Sequence, residues 1–210
     1  MSSLEENFEE TLPNHWSDSY LKNTLEESFI IEVAIAQESF LDLLSEFFIL
    51  PDLTISRSDV LTFLLVQSGV DITLLSTHVE RPDFSDVTSK DEGFGIINFA
   101  AEAGLIDGYG DGTFKPSRIT NRVEALKLVS TFYQEVPKEL RGDELLARYN
   151  LEENPFSDVD LDEWYAPYVI AAYSNGIIQG YPDGTYKPSQ SITHAEFLKI
   201  AILGKRTLWE

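Results

Sequence analysis

Cysteine is absent from the chain, and histidine occurs only three times. Disulfide staples and thiolate metal sites are therefore excluded, and a histidine-rich metal centre is not expected. Positive charge is scarce too: 15 lysines and arginines stand against 36 aspartates and glutamates, a formal net charge of −21. Without a basic face there is no electrostatic footprint for nucleic acid or an anionic membrane surface, so any anionic ligand must be held by a local positive site. No apolar run reaches the roughly 18 to 20 residues that span a bilayer, so membrane insertion is not expected. The beginning, MSSLEENFEE, has no basic n-region and no apolar h-region. As written it carries no signal peptide, which leaves an intracellular protein or a mature segment behind an added Met1.

What is there suffices for a folded body. The 210 residues are 43% hydrophobic and 12% aromatic, enough for a core in one or two domains. The chain also repeats itself. Residues 156–199, FSDVDLDEWYAPYVIAAYSNGIIQGYPDGTYKPSQSITHAEFLK, lie without gaps over FSDVTSKDEGFGIINFAAEAGLIDGYGDGTFKPSRITNRVEALK from Phe84, a shift of 72.

Each copy orders an extended FSDV, a helix, a glycine-centred turn and a second helix. Trp164, Tyr168, Ala171 and Ala172 recur at helical spacing, and Asn175-Gly176 stops that helix, as Gly104 does in the earlier copy. Gly180 to Pro188, GYPDGTYKP, and its twin Gly108 to Pro116 are predicted to form a short hairpin lip, with Pro182 pre-setting φ and Gly184 taking the left-handed corner. Thr193-His194-Ala195-Glu196 reads as a capping box flanked by an Ile192/Phe197 hydrophobic staple, with Asn121-Arg122-Val123-Glu124 as its twin.

A third, altered copy precedes these two. Trp16 and Tyr20 keep the spacing of Trp164 and Tyr168, and Pro51 to Asp59 aligns with Pro188 to Glu196, placing Ser56-Arg57-Ser58-Asp59 on the capping box. Trp16 to Pro51 is 35 residues against 24 from Trp164 to Pro188, so 11 are inserted, and the Gly-Tyr-x-Asp-Gly-Thr turn is missing. In its place FIIEVAIAQESFLDLLSEFFIL, residues 29–50, reads as one or two amphipathic helices. Burial in their own domain is the first expectation for their apolar residues; an exposed interaction face is the second.

The chain thus divides into an acidic lead-in (1–12), an altered repeat with its insertion (13–79), a second repeat (80–135), a linker (136–153), and a third repeat with its tail (154–210). In the stretch between the later repeats, Asp143 is expected to cap a short helix carrying Leu145, Leu146 and Tyr149.

FSDV, a Trp-led helix, GYxDGT[FY]KP and a [TNS]-x-x-[ED] capping box, in this order, resemble the S-layer homology (SLH) family. The likeness runs from about residue 13 to 204. It implies a mainly α fold in which three helix-loop-helix repeats form a pseudo-threefold, three-lobed unit around a central helical bundle, with short β-hairpin turns. It further implies a non-catalytic, extracellular anchor on the bacterial cell surface. Grooves between lobes would bind an anionic, pyruvylated secondary cell-wall polysaccharide, with other surface-layer proteins as further candidate partners and no cofactor or metal.

The resemblance places the family's Thr-Arg-Ala-Glu motif on Ser56, Arg57 and Asp59, on Asn121, Arg122 and Glu124, and on Thr193, His194 and Glu196. The motif's arginine is thus kept at Arg57 and Arg122 and replaced at His194, which on its reference value is charged only below about pH 6.5. Gly108, Tyr109, Gly180, Tyr181, Trp16 and Trp164 are the candidates to line the grooves, although the glycines and tyrosines also read as plain turn and packing residues. Glu92 stands where the last copy has Trp164, and the first lobe lacks its lip, so at most two working grooves are expected. Helix starts supply physical grounds for anion binding, since an arginine there would stand beside free backbone N–H groups at the positive end of the macrodipole.

Other chemistries fit less well. Asp158, Asp160 and Asp162 have the alternate spacing of a calcium loop, but Glu163 and Val169 stand where its glycine and bidentate glutamate belong, so a solvated loop is expected. No nucleophile triad, phosphate loop or HExxH is present, and no carboxylate pair is singled out for glycosidase work. The alternative to polymer binding is an interaction or self-assembly scaffold on the same fold, in which Phe47 and Phe48 mediate association.

Overall fold

The computed structural model describes residues 50–77, 84–91, 93–133 and 136–206. Trp16, Tyr20, the segment 29–49 with Phe47 and Phe48, and Glu92 lie outside them. The described chain is mainly α. It contains α1 (Arg57–Gln67), a 3-10 helix (Ile72–Thr77), α2 (Phe94–Glu102), α3 (Arg122–Tyr133), α4 (Gly142–Arg148), α5 (Ala166–Ser174) and α6 (His194–Arg206). Among the described residues there is no strand beyond three isolated antiparallel bridges, Thr54 to Thr193, Ser56 to Ile119 and Asn121 to Ser191.

Those bridges organise the molecule. The Ile55 N–H donates to the Ile192 carbonyl (3.4 Å), the Ile192 N–H to that of Thr120 (3.1 Å), and the Thr120 N–H to that of Ile55 (2.9 Å), a closed ring of three. Each member directly precedes a helix start, so α1, α3 and α6 leave the ring together. Their apolar faces form one core: Val60, Leu64, Leu126, Val129, Leu198 and Ala201 are buried, and Phe63 meets Phe197 edge-on at 5.3 Å. At the far end the Tyr133 hydroxyl donates to Gln67 Oε1 (2.8 Å), and Lys205 Nζ donates to the Gln67 carbonyl at the end of α1 (2.5 Å). Burial pushes the Tyr133 hydroxyl up to about 12 and the Lys205 amine down to about 8.

The shorter helices clad this bundle, α2 against α1 and the 3-10 helix, α5 against α3 and α4. As the sequence predicts, Pro167 lies in the first turn of α5, and Gly176 follows its end at φ 71°. Three expectations are corrected. Trp164 does not lead α5 but precedes it, 47% exposed, with its ring edge-on to Tyr165 and Tyr168. Asp143 does not cap α4, because it already lies in the first turn and Arg141 holds the cap position. The GYxDGT segments are tight turns without a hairpin ladder, since aspartate side chains satisfy backbone N–H groups that a ladder would have paired.

Candidate functional site

Each turn is built from its own residues. Asp183 Oδ1 accepts from the Thr185 N–H (3.1 Å) and hydroxyl (2.6 Å), and Asp111 does the same for Thr113 (3.1 and 2.5 Å). Hydrogen bonds from Thr113 and Lys115 hold the Asp111 carboxyl down at about 2. The turn closes through the Tyr181 N–H on the Thr185 carbonyl (2.8 Å) and the Gly184 N–H on that of Tyr181 (3.0 Å), with Gly184 at φ 78°.

The FSDV aspartate then fixes the two residues after the turn. Asp158 accepts from the N–H groups of Tyr186 (2.7 Å) and Lys187 (2.8 Å), and Asp86 accepts from those of Phe114 and Lys115 (both 2.8 Å). Asp158 lies in an exposed loop, as the sequence predicts, and is a structural acceptor as well. Lys115 and Lys187 are held at φ 58°, an uncommon conformation for a side chain with a Cβ. This aims the carbonyls and rings of Phe114 and Tyr186 towards the neighbouring helix start.

Onto those shelves come the arginines of the preceding segment. Arg57 Nε–H donates to the Phe114 carbonyl (3.0 Å), and its guanidinium lies 4.8 Å from the ring centres of both Tyr109 and Phe114. Arg122 Nε–H donates to the Tyr186 carbonyl (2.8 Å), with its guanidinium 4.9 Å from the Tyr181 ring and 4.7 Å from that of Tyr186. Both residues are nearly buried, at 6% and 9% exposure. Desolvation lowers the pKa of Arg57, yet aromatic faces on two sides return part of the lost hydration as cation–π attraction. His194, the third member of the series, is 4% exposed. Segment 1 thus reaches onto segment 2, and segment 2 onto segment 3.

The capping boxes form as expected in two of three places. Thr193 Oγ1 accepts from the Glu196 N–H (3.3 Å) while Glu196 Oε2 accepts from the Thr193 N–H (3.1 Å); Asn121 and Glu124 exchange the same pair at 2.8 and 3.2 Å. Ser56 accepts from the Asp59 N–H (3.2 Å), but Asp59, a methylene shorter, takes the Ser56 hydroxyl (2.5 Å).

The expectation of free helix N–H groups at these sites is overturned. The first N–H of α1, α3 and α6 donates to the carbonyl of Arg118 (3.0 Å), Gln190 (2.9 Å) and Leu53 (2.8 Å), and the second to that of Pro116 (3.0 Å), Pro188 (3.2 Å) and Pro51 (3.0 Å). The third goes to the capping side chain. The pairing of segments around the ring consumes these donors, so an anion there would be met by side chains and not by helix N–H groups.

The two junctions differ in one partner. Glu196 Oε1 accepts from Arg122 Nη1 (2.8 Å) and from the Tyr181 hydroxyl (2.9 Å), which also accepts from Gln190 Nε2 (3.2 Å). Glu124 Oε1 accepts from the Tyr109 hydroxyl (3.1 Å) and from Arg118 Nη1 (2.5 Å), and Arg118 also donates to the Tyr109 hydroxyl. Arg57 makes no ion pair with Glu124 there. Burial alone would raise the Glu124 pKa, but the bonds from Arg118 and the Asn121 N–H outweigh it and leave it below the ordinary 4.5. Burial pushes both tyrosine hydroxyls up.

The structure therefore brings Arg57 to Tyr109 and Arg122 to Tyr181 and Glu196, but it does not bring Trp164 there. Gly108 and Gly180 serve packing, each held close against Phe84 or Phe156. Phe114, Tyr186, Arg118, Gln190, Asp86 and Asp158 were missed. A signal for the first two existed, since both repeats carry an aromatic residue at the same place in DGT[FY]KP. No group of three or more histidine, aspartate or glutamate side chains among the described residues is arranged to hold a metal ion.

Helices rising from a shared ring, with buried arginines laid from one segment onto the aromatic shelf of the next, define a repeat-built helical module. The model of the S-layer homology domain matches residues 83–126 and 155–198, so the chain carries two repeats of that family. It is 35% identical over 130 residues to "Cell surface glycoprotein 1" of Acetivibrio thermocellus, covering 62% of this chain and 5% of that protein. It is 28% identical to the "Cellulosome-anchoring protein" of the same organism (54% of this chain, 24% of that one) and 30% identical to the "Middle cell wall protein" of Brevibacillus brevis (47% and 9%). The chain thus spans a minor part of the relatives it matches. No helix among the described residues is long and apolar enough to cross a membrane.

Proposed function

We propose that this chain is a non-catalytic anchoring module that holds a protein on the bacterial cell surface by binding an anionic, pyruvylated secondary cell-wall polysaccharide at the junctions of Arg57 and Arg122. Two repeats of a family whose relatives include cell-surface and anchoring proteins support the anchoring part. The polysaccharide reading rests on one observation: each guanidinium is clamped between two aromatic rings and a carbonyl, with its geometry fixed before any ligand arrives. A planar, pre-set guanidinium suits a carboxylate, and the tyrosine beside it offers a face to the apolar side of a sugar ring.

Residues 51–67 act in this proposal as the inner half of a divergent first repeat. Ile55, Arg57 and α1 take the same places in the hydrogen-bonded ring as Thr120, Arg122 and α3, and as Ile192, His194 and α6. Three lobes then form a pseudo-threefold unit with two arginine-bearing junctions.

Co-sedimentation with wall sacculi carrying pyruvylated polymer, beside sacculi stripped of it, tests the proposal. The wild type should pellet only with the former, and Arg57→Ala/Arg122→Ala should stay in solution. Because affinity comes from a few buried groups on an acidic chain, added salt should weaken pelleting only modestly. Equal pelleting of both preparations, or a steep salt dependence, would count against it.

A further inference from the structure

The exchange of Arg118 for Gln190 between two otherwise matching junctions has an electrostatic consequence. Around Tyr109 stand Arg57, Lys115 (Nζ 4.3 Å from the ring centre) and Arg118 (5.3 Å), with Asp111 and Glu124 as the carboxylates. Around Tyr181 stand Arg122 and Lys187 (4.0 Å), with Asp183 and Glu196. The first junction therefore carries one positive charge in excess, and the second carries none.

The placement matters more than the count. Arg122 already has its carboxylate: Glu196 sits 2.8 Å from Nη1, and both side chains are mostly buried, at 11% and 19% exposure. An incoming carboxylate must compete with that ion pair and meet the charge of Glu196 at close range. At the other junction Glu124 pairs with Arg118, and Arg57, which like Arg122 donates from Nε to its shelf carbonyl, has no carboxylate on its guanidinium among the described residues. Burial makes the cationic state of Arg57 costly; Tyr109 and Glu124 nearby offset part of that cost and Arg118 adds a little to it, and the net lowering is one an anion would relieve.

We propose that the two junctions are unequal, with a carboxylate binding at Arg57 in preference to Arg122, and that Arg118 sets the difference by taking the ion pair with Glu124 that Arg122 makes with Glu196. This rests on the anion-binding reading of the junctions and adds which one takes the charge and why. Arg118 acts here as a positioning residue.

The Nε–H groups of Arg57 and Arg122 are both hydrogen-bonded, so their nitrogen–proton resonances exchange slowly enough to report each junction separately. The probe is the methyl glycoside of a pyruvate-ketal hexose, beside its uncharged methyl ester. In the wild type the Arg57 resonance should respond at about tenfold lower concentration of the acid than that of Arg122, the size of one charge-assisted hydrogen bond. The ester should show no such gap. Arg118→Gln should release Glu124 to Arg57 and close the gap, and Arg118→Gln/Glu124→Gln should reopen it, because glutamine keeps the capping box without the charge. Gln190→Arg should bring the Arg122 junction towards the Arg57 one.

Equal response of the two resonances in the wild type, or a gap unchanged by Arg118→Gln, overturns the inference while leaving anchoring intact. Loss in Arg118→Gln without recovery in the double variant overturns it as well, since Arg118 would then be a direct contact. No response at either arginine to millimolar probe also overturns it, and the sacculus experiment then decides independently whether anchoring falls too.

Discussion

Gly180 faces Phe156 so closely that a Cβ on it would stand 2.4 Å from Cε1 of the ring, and 2.9 Å from the Thr185 carbonyl oxygen. Gly108 meets Phe84 in the same way at 2.3 Å. The glycine lets the turn lie on the FSDV phenylalanine, and that contact sets the height of the shelf under Arg122.

Gly180→Ala should therefore cost about 2–4 kcal/mol, combining overpacking with a strained φ of 73°. Gly108→Ala, which adds the overpacking without a left-handed φ, should cost about 1–3 kcal/mol. Urea unfolding of the two variants checks the order, and a milder effect at Gly180 than at Gly108 would refute it.

Asp158 holds two backbone N–H groups and, through them, the Tyr186 carbonyl that receives Arg122. Asp158→Ala should destabilise by about 1–3 kcal/mol, because the Tyr186 and Lys187 N–H groups lose their acceptor. It should also broaden the Arg122 Nε–H resonance while leaving that of Arg57 sharp. Two-dimensional NMR of the variant reads both.

Thr120 sits in the ring of three with its side chain fully buried, and Oγ1 has no hydrogen-bond partner among the described residues. Its counterparts are Ile55 and Ile192. Thr120→Val removes the unsatisfied hydroxyl at nearly constant volume and should stabilise by about 1 kcal/mol, measured as a higher denaturant midpoint with an unchanged slope.

Glu124 has a depressed folded pKa, so the unfolded chain takes up its proton first as the pH falls. The stability this carboxylate contributes is fully present above its ordinary 4.5 and is lost as the pH falls through its lower folded value. Unfolding stability between about pH 6 and 3 should fall less in Glu124→Gln than in the wild type. Parallel curves would show that Glu124 contributes nothing to the acid limb.

Much of this was legible in the chain. The repeat placed the turns, the capping boxes and the stops of α2 and α5, because these depend on residues within a few positions of one another. Trp164 was misjudged because helical spacing alone does not tell a residue on the first turn from one just before it. Asp143 was misjudged because a capping residue one place too late is simply an acidic residue in the first turn. The acceptor roles of Asp86 and Asp158 were not legible because their partners lie 28 and 29 residues further on.

The sequence by itself determined the repeat and the starts of α1, α3 and α6, and it singled out Arg57 and Arg122 as candidates. Only the tertiary structure decided what those arginines meet. Three segments closing one ring spend the helix N–H groups that each start, taken alone, would leave free. The same closure brings Arg122 to Glu196, 74 residues away along the chain, whereas Arg118 meets Glu124 six residues on. Local propensity is set by neighbours in sequence, whereas charge compensation depends on distance in space, so the partner of Arg122 is decided only in the folded chain.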